Sequence, residues 1–393
     1  MIVLTVNAGS SSLKFGIFER GERGVVRRGR AQIDLRHPPL ILHVATEHGA
    51  SDLELGTPVD AEQALDRAVA MLEDRFVPSG AGFRAVGHRI VHGGDRFAGP
   101  VRIDAEVLEA LTALEPLAPL HQPQNLHAVK VLGRLRPELA QIASFDTAFH
   151  QTQSPLLRHF ALPRALFDEG VKRYGFHGLS YTFIVRALRE RFPTLADGRV
   201  IVAHLGSGAS LCALHGGVSR DTSMGFSTLD GLPMATRCGT LDAGVVLHLL
   251  ARYGHSAESL TDLLYRRSGL LGLSGVSADM RDLLQHRSSE AEEAVAFFCQ
   301  KVARDIAALA TTLGGLDAIV FTAGIGENQP VVREMIASHL AWLGLSLDPE
   351  ANGAQAARID SARSTIACLV IPTDEESVIA SETFQCLPQE TPL

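Results

Sequence analysis

The chain is poor in cysteine, has no excess of positive charge, and contains no apolar run of membrane-spanning length. Its five cysteines (Cys212, Cys238, Cys299, Cys368, Cys386) are scattered, odd in number and without a CxxC pair, which argues against a disulfide framework or a zinc ribbon. Lys and Arg together number 36 against 44 Asp and Glu. Nothing is left over to neutralise a nucleic-acid backbone, so any anionic ligand must be held by local cations. The start of the sequence carries no charged n-region with a cleavage site, and the sequence reads as that of a cytoplasmic protein. No GxxxxGK[ST] motif is present, which excludes the P-loop class on its own signature.

What remains is the composition of an ordinary globular protein, 46% hydrophobic and 20% charged over 393 residues, long enough for two domains with separate cores. The first stretch, MIVLTVNAGSSSLKFGIF, predicts a β-hairpin: strand Ile2 to Val6, a small-residue loop Asn7 to Ser12, and a strand Leu13 to Phe18. Gly9 permits a positive φ, while Ser10, Ser11 and Ser12 put hydroxyls beside amide N–H groups, with Lys14 following as a point charge. This is what a phosphate needs around it, although Gly-Ser turns without a ligand are common. Further strands follow in GERGVVRRGRAQIDL and LILHVATE. A helix capped by Asp60 to Gln63 then buries Ala61, Ala64, Leu65, Ala68, Val69 and Leu72.

The strand Ala85 to His92 carries Arg89 close to its end. A cation there needs an anionic partner, either a structural carboxylate or a ligand. His88 and His92 read as packing residues because no acid or cysteine stands at ligand spacing. LAPLHQPQN presents His121 ahead of a helix from about Asn125 to Arg136. Asp146 closes a strand in FDTAFH, where an open α/β sheet puts catalytic groups and where turns also favour aspartate. YGFHGLSY places His177 in a loop. At Arg199 the chain begins again: RVIVAHLGSGASLCAL repeats the strand, Gly-Ser loop, strand pattern and implies a duplicated architecture. Arg237 follows beside glycine-rich backbone, then Asp279 and Arg281. A long helix with a capping box at Ser289 and Glu292 runs to Gly314, with Ala291, Val295, Phe298, Val302, Ile306, Leu309 and Leu313 as its core stripe. A glycine turn, TAGIGEN, ends in Glu327 and Asn328. Asp374, Glu375 and Glu376 open the last helix, where the helix dipole favours acids.

Taken in order, VNAGSSSLKF, VGHRIVHGG, LAPLHQPQN, FDTAFH, YGFHGLS, HLGSGAS, DTSMGF, GLLGLSGVSADMR, FTAGIGEN and IPTDEE resemble the acetate kinase family of short-chain carboxylate kinases across nearly the whole chain. The resemblance implies an α/β fold of two duplicated actin-like (ribonuclease H-like) domains, 1–149 plus 376–393 and 150–375, with the active site in the cleft. It implies reversible transfer of the ATP γ-phosphoryl group to acetate, giving acetyl phosphate and ADP. By the same resemblance Asn7 and Glu375 would hold magnesium, for which manganese can substitute, and Arg89 and Arg237 would flank the transferring phosphoryl group. Asp146 would position substrate, His177 and His121 would contact phosphoryl oxygens, and Val91, Leu120 and Phe176 would line the methyl pocket. The nucleotide would lie on His204, Leu205, Gly206, Ser207 and Gly208, on Asp279, Met280 and Arg281, and on Gly324, Ile325, Gly326, Glu327 and Asn328, with Lys14 nearby. The family also implies a homodimer.

Such residues suit the chemistry. Acetate is already a carboxylate, so no base is required, and two arginines with a divalent cation address the approach of two anions. The sequence departs from the family pattern at Ser207, Thr240, Tyr181, Ala235 and Thr228, which leaves the acyl chain open between acetate, propionate and butyrate. A nucleotide switch of the actin or chaperone type is the competing reading from another class; it has no use for Arg89. A purely structural Arg89–Glu375 ion pair is a further alternative.

Overall fold

A computed structural model describes residues 1–9, 12–21, 24–36, 39–56, 60–78, 81–254 and 256–388; Ser10 and Ser11 of the first Gly-Ser loop lie outside these described residues. The chain divides into two compact units, Met1–Phe149 with Asp374–Leu393, and His150–Thr373.

The first unit is built on β1 (Ile2–Ala8), β2 (Ser12–Gly21), β3 (Gly24–Asp34), β4 (Ile41–Thr46), β5 (Gly49–Glu54), β6 (Ala85–Ile90), β7 (Val101–Arg102) and β8 (Ala140–Phe145). They form one sheet in the order β5-β4-β3-β2-β1-β6-β8-β7. The hairpin expected from the first eighteen residues is β1 against β2, with Ile2 opposite Glu19 and Ala8 opposite Leu13. From β1 the sheet continues in parallel through β6 to β8. Alternation along these strands serves two faces. Leu4, Val6, Phe15, Ile17, Ile33 and Leu42 join a core with Leu65, Val69 and Leu72 of the helix Ala61–Phe76. Val3, Phe18, Ala85 and Ile142 pack with Ala380 and Phe384 of the helix Glu375–Cys386. Burial on both faces explains why the central strands are nearly continuous apolar runs. The last helix can approach β6 closely because Gly87 has no side chain: a Cβ there would stand 2.1 Å from Thr383 Oγ1 and 2.7 Å from Ile379 Cγ2.

The second unit uses β9 (Arg199–Leu205), β10 (Ala209–His215), β11 (Val218–Thr222), β12 (Ala318–Thr322) and β13 (Ala367–Val370), in the order β11-β10-β9-β12-β13. β11, β10 and β9 are antiparallel, and β9, β12 and β13 are parallel. Order and strand directions repeat β3-β2-β1-β6-β8, so the echo between the two Gly-Ser hairpins reflects a duplicated actin-like plan.

Several local expectations shift. Asp60 caps Gln63 as predicted, at 2.7 Å, but Ala61 stands in the first turn at the mouth of a cavity that Leu65 also lines, and it is exposed. The helix expected near Asn125 begins at Gln122, with Pro123 in its first turn, where a missing N–H costs nothing. β6 stops at Ile90, because the N–H groups of Val91 and His92 go to the side chains of Asn125 and Gln122 at 3.1 Å each. The long helix Ser289–Leu313 is capped by Ser288, whose Oγ accepts from Ala291 N at 3.2 Å, one residue before the expected box. Its stripe is buried except for Leu313, which is only half-buried. TAGIGEN is not a turn but a short helix, Ala323–Asn328. Among the described residues no helix is long and apolar enough to cross a membrane.

Candidate active site

In the first unit the chemistry gathers at the carboxyl ends of the parallel strands β1, β6 and β8, the end of an open α/β sheet where ligands bind. Asn7 is the penultimate residue of β1, Arg89 the penultimate residue of β6, and Asp146 follows directly on β8, its N–H donating to Ile90 O at 3.1 Å. Arg89 grips Asp146 bidentately through one edge, Nε to Oδ1 at 3.1 Å and an Nη to Oδ2 at 2.8 Å. Its other Nη stands 3.7 Å from Glu375 Oε2, and Glu375 is the first residue of the last helix. Asp146 is 1% exposed, and a carboxylate so desolvated must be paired. Burial works against the charge on Arg89, but Asp146 and then Glu375 overcome it and hold the guanidinium above its ordinary pKa. Arg89 keeps 22% of its side-chain surface accessible, so the cation is anchored from behind and open at one edge.

Asp374 and Glu376, the acids flanking Glu375, have other work. Asp374 caps Ser377 N at 3.1 Å, and both pair with Arg27. Capping therefore accounts for Asp374 and the pair with Arg27 for Glu376, while Glu375, in the same first turn, faces Arg89.

Two residues that sequence reasoning passed over hold this end of the sheet together. Asn125 accepts from Val91 N and donates to Ala8 O at 3.0 Å, so it bridges the ends of β1 and β6. Gln122 accepts from His92 N and donates to His92 O and Leu111 O. The signal was present: two amides spaced i, i+3 share one face of a helix, and both are buried here. His121 immediately precedes that helix, and Leu120 precedes His121. Val91 is buried at the end of β6. His88 bonds Gln141 Oε1 at 2.8 Å, and the Nδ1 of His92 accepts from Gly94 N. Burial pushes both imidazoles down to about 4, so they are neutral packing residues as expected.

The second unit gathers two imidazoles and an arginine around the β9–β10 loop. His177 ends the loop as expected and is the N-cap of the helix Gly178–Arg191, with φ 60°. A non-glycine residue in the left-handed region is strained, and it persists where its surroundings fix it. Here Nδ1 of His177 bonds Ser210 Oγ at 2.8 Å, and the ring stacks on His204 at 4.2 Å between centroids, 17° apart. His204 Nδ1 bonds Ser180 Oγ at 2.8 Å, and that hydroxyl also meets Thr373 Oγ1 at 2.9 Å. Arg237 is oriented by an Nη donating to Thr228 O at 2.8 Å. His177 Nε2 and the other Nη of Arg237 both lie 3.4 Å from the point where a Cβ on Gly208 would stand. An imidazole nitrogen and a guanidinium thus converge over one spot of bare backbone.

Arg237 sits in a loop whose backbone packs tightly against a neighbouring glycine. Gly269 has φ 61°, and a Cβ there would come within 2.1 Å of Met234 O, which the N–H of Leu270 binds. Thr240, one of the departures from the family pattern, bridges Asp230 Oδ1 at 2.8 Å and Gly231 N at 3.1 Å, which makes it part of the loop's frame. The carbonyl of Thr228 holds Arg237, a bond that a proline could also accept.

The residues expected to carry a nucleotide divide by what their side chains do. Leu205 and Met280 are buried, leaving only their backbone to offer, whereas Ser207 is exposed. Gly206 and Gly208 are closed by the bond Gly206 N to Gly208 O at 3.1 Å. Asp279 caps Arg281 N at 2.8 Å and pairs with its guanidinium. Glu327 turns its Oε1 onto Ala323 N at 2.7 Å and Thr373 N at 3.1 Å, and Asn328 bonds Gly324 O. Ile325 lies between Gly324 and Gly326 in the same short helix. Fully buried Arg333, which sequence reasoning missed, donates to Gly326 O, Glu327 O and Asn352 O and so braces the segment from beneath. Lys14 is exposed on β2, opposite Asn7. Phe176 is buried, and its carbonyl accepts from His150 Nε2 at 2.9 Å.

For a metal, the donors expected from the sequence are an amide oxygen and a carboxylate. Among the described residues no three His, Cys, Asp or Glu side chains are gathered into a metal-holding group. That donor set fits a hard cation held by one or two protein oxygens and completed by water and substrate phosphates, the habit of Mg²⁺, and does not fit a closed zinc or calcium cage.

Comparison with known proteins places this geometry. The sequence profile of the Acetokinase family matches residues 2–381. The chain is 47% identical over 398 residues to the acetate kinase of Methylocella silvestris, covering 98% of both chains. It is 46% identical over 385 residues to the acetate kinase of Rhizobium meliloti, covering 97% of both. Among solved structures it is similar to a propionate kinase from Francisella tularensis subsp. tularensis SCHU S4 (TM-score 0.90, 34% identity, 97% of this chain and 98% of that one). It is similar to the same degree to the acetate kinase of Porphyromonas gingivalis (TM-score 0.88, 34% identity, 98% and 100%).

Proposed function

The chain belongs to the acetokinase family, and from that premise we propose that it transfers the γ-phosphoryl group of ATP reversibly to acetate, giving acetyl phosphate and ADP in a direct in-line step. The observation that carries the reading is Arg89: a guanidinium braced by buried Asp146 and Glu375, with one edge left accessible, is built to meet an anion. Acetate needs no deprotonation, and the barrier is the approach of two anions with charge spread over the phosphoryl oxygens. Arg89 receives the acetate carboxylate and flanks the phosphoryl group, while Asp146 fixes the guanidinium and orients substrate. Arg237 and His177, together with His121, donate to the phosphoryl oxygens without taking or giving up a proton. Asn7 and Glu375 would hold magnesium, or manganese in its place, which when bound neutralises phosphate charge. Val91, Leu120 and Phe176 line the methyl pocket. The backbone of 204–208, 279–281 and 324–328 carries the nucleotide, with Lys14 as an accessory cation.

The protein works in the cytoplasm as a homodimer in this reading. Support for a second copy comes from the helix Ala243–Tyr253, an apolar sequence whose Val245, Leu247 and Leu250 remain exposed, Leu247 by 66%. Leu247→Glu is expected to halve the mass measured by light scattering, and an unchanged mass would assign that face to something else.

Hydroxamate trapping of acyl phosphate, with ATP and magnesium and with acetate, propionate or butyrate at equal concentration, tests the reaction. Acetyl hydroxamate is expected to dominate. The second reading, a propionate kinase, is favoured by the similarity to the Francisella enzyme, and a methylene is worth only about 1–3 kcal/mol of discrimination. A longer product dominating would move the substrate, and no product from any acid would remove the activity.

A further inference from the structure

His177 does not meet Ser210 alone. The hydroxyl of Tyr181, one helical turn beyond His177, bonds the same Ser210 Oγ. Tyr181 is completely buried, with its ring edge-on to His150 at 5.6 Å and 75°. A buried phenol has to place its O–H on a partner, and the partner here is the serine that holds the imidazole. Ser210 is itself fully buried, on β10 directly opposite His204.

The direction of these bonds follows from the chemistry of the three groups. A serine has one proton to donate and two lone pairs. A phenol is far more acidic than an aliphatic alcohol, so it is the better donor and the poorer acceptor. Tyr181 therefore donates to Ser210, and Ser210 passes its own proton toward Nδ1 of His177. An imidazole whose Nδ1 accepts carries its proton on Nε2. Nε2 is the nitrogen that lies over Gly208 beside the Nη of Arg237. Successive hydrogen bonds in one direction polarise one another, and the enclosure of all three groups strengthens the effect.

We propose that Tyr181 is a positioning residue: acting through Ser210, it fixes His177 as the Nε2–H tautomer, so that a neutral donor faces the transferring phosphoryl group. The inference rests on the function proposed above for His177 and assigns to Tyr181 and Ser210 the task of preparing it. His204 offers a contrast within the same stack, because its serine is backed by the aliphatic hydroxyl of Thr373.

The test uses the full chain carrying Tyr181→Phe, which keeps the ring and removes the hydroxyl. Long-range ¹H–¹⁵N spectra are expected to show His177 in the wild type with a protonated Nε2 and an accepting Nδ1, and in the variant with signals moved toward a tautomer average. Turnover is expected to fall about tenfold with KM for ATP and acetate within about twofold, the signature of a group felt mainly in the transition state. In a His177→Ala background Tyr181→Phe is expected to do nothing further. Ser210→Ala removes the bridge by a smaller change and must reproduce both effects, which keeps the test decisive if the phenylalanine variant folds poorly. Unchanged His177 spectra in both variants, or an equal loss of turnover with and without His177, would overturn the proposal. Full turnover in His177→Ala alone would overturn instead the function assigned to His177, with the spectra still reporting on the relay.

Discussion

Removing the Arg89 guanidinium has two consequences that one pair of variants separates. Asp146 is 1% exposed, and its bidentate bond to Arg89 is what makes its charge tolerable there. Arg89→Met would leave that carboxylate without its cation. Breaking a buried pair from one side costs about 3–5 kcal/mol, and the accessible edge of Arg89 puts this site at the lower end, about 3 kcal/mol. Arg89→Met combined with Asp146→Leu removes the fully buried charge and leaves only the partly accessible Glu375 without its cation, so most of that stability is expected to return. Activity is expected not to return. A cation that stabilises a transferring phosphoryl group is worth about a thousandfold or more in kcat/KM, about 4 kcal/mol of transition-state free energy. Urea unfolding and the hydroxamate assay on the wild type, the single and the double variant therefore predict opposite orders of recovery. A single variant as stable as the wild type would refute the account of Asp146. A double variant with near-normal turnover would refute the proposed role of Arg89 and leave only a structural ion pair.

Three further outcomes follow from the geometry. His88 and His150 are held by burial at about 4, so between that pH and about 6.5 the unfolded chain binds protons that the folded chain does not, and stability falls as pH falls through this window. By pH 5.5 each is expected to cost on the order of 1 kcal/mol, and urea midpoints that stay flat from pH 7.5 to 5 would contradict it. Gly87→Ala drives a methyl into Thr383 and Ile379 and is expected to cost about 1–3 kcal/mol, partly recovered by adding Thr383→Ala; no loss in thermal unfolding would mean that the helix can simply shift. Glu327→Ala frees Ala323 N and Thr373 N and is expected to raise KM for ATP about tenfold with little change in kcat, whereas a kcat loss at constant KM would place the carboxylate on the reacting group instead.

The candidate residues of the first unit were legible because they obey a positional rule. Arg89 near the end of a buried strand demanded an anion, and Asp146 at the end of the neighbouring parallel strand was the group placed to supply it. The hairpins and their duplication were equally legible, since period-two alternation and Gly-Ser loops are local signals. Other features were not local. Ser210 and Ser180 look like any small strand or helix residue until folding brings them under His177 and His204, and Arg333 gains its meaning from Gly326 and Glu327 before it and Asn352 after it. Helix starts moved by one to three residues because a proline or a neighbouring serine competed for the cap. Alternation gave no warning that β6 ends early, since the N–H groups beyond Ile90 are taken by side chains of another element.

Duplication of the scaffold did not duplicate the chemistry. At the strand ends of the first unit the functional group is a full charge, and its environment supplies counter-charges: Asp146 and Glu375 on Arg89, Asp374 and Glu376 on Arg27. At the corresponding hairpin of the second unit the two imidazoles bond serine hydroxyls, and Arg237, over Gly208, donates to a backbone carbonyl. The difference has a physical reason. A cation that must stay ionised while largely desolvated requires carboxylates close by, and carboxylates that hold it also repel an incoming phosphate. Neutral donors oriented by hydroxyls bring no counter-charge and can meet phosphoryl oxygens without that repulsion. The proposed division, with acetate received by the braced arginine and phosphoryl oxygens met by hydroxyl-oriented rings and Arg237, places each type of donor where its environment does least harm.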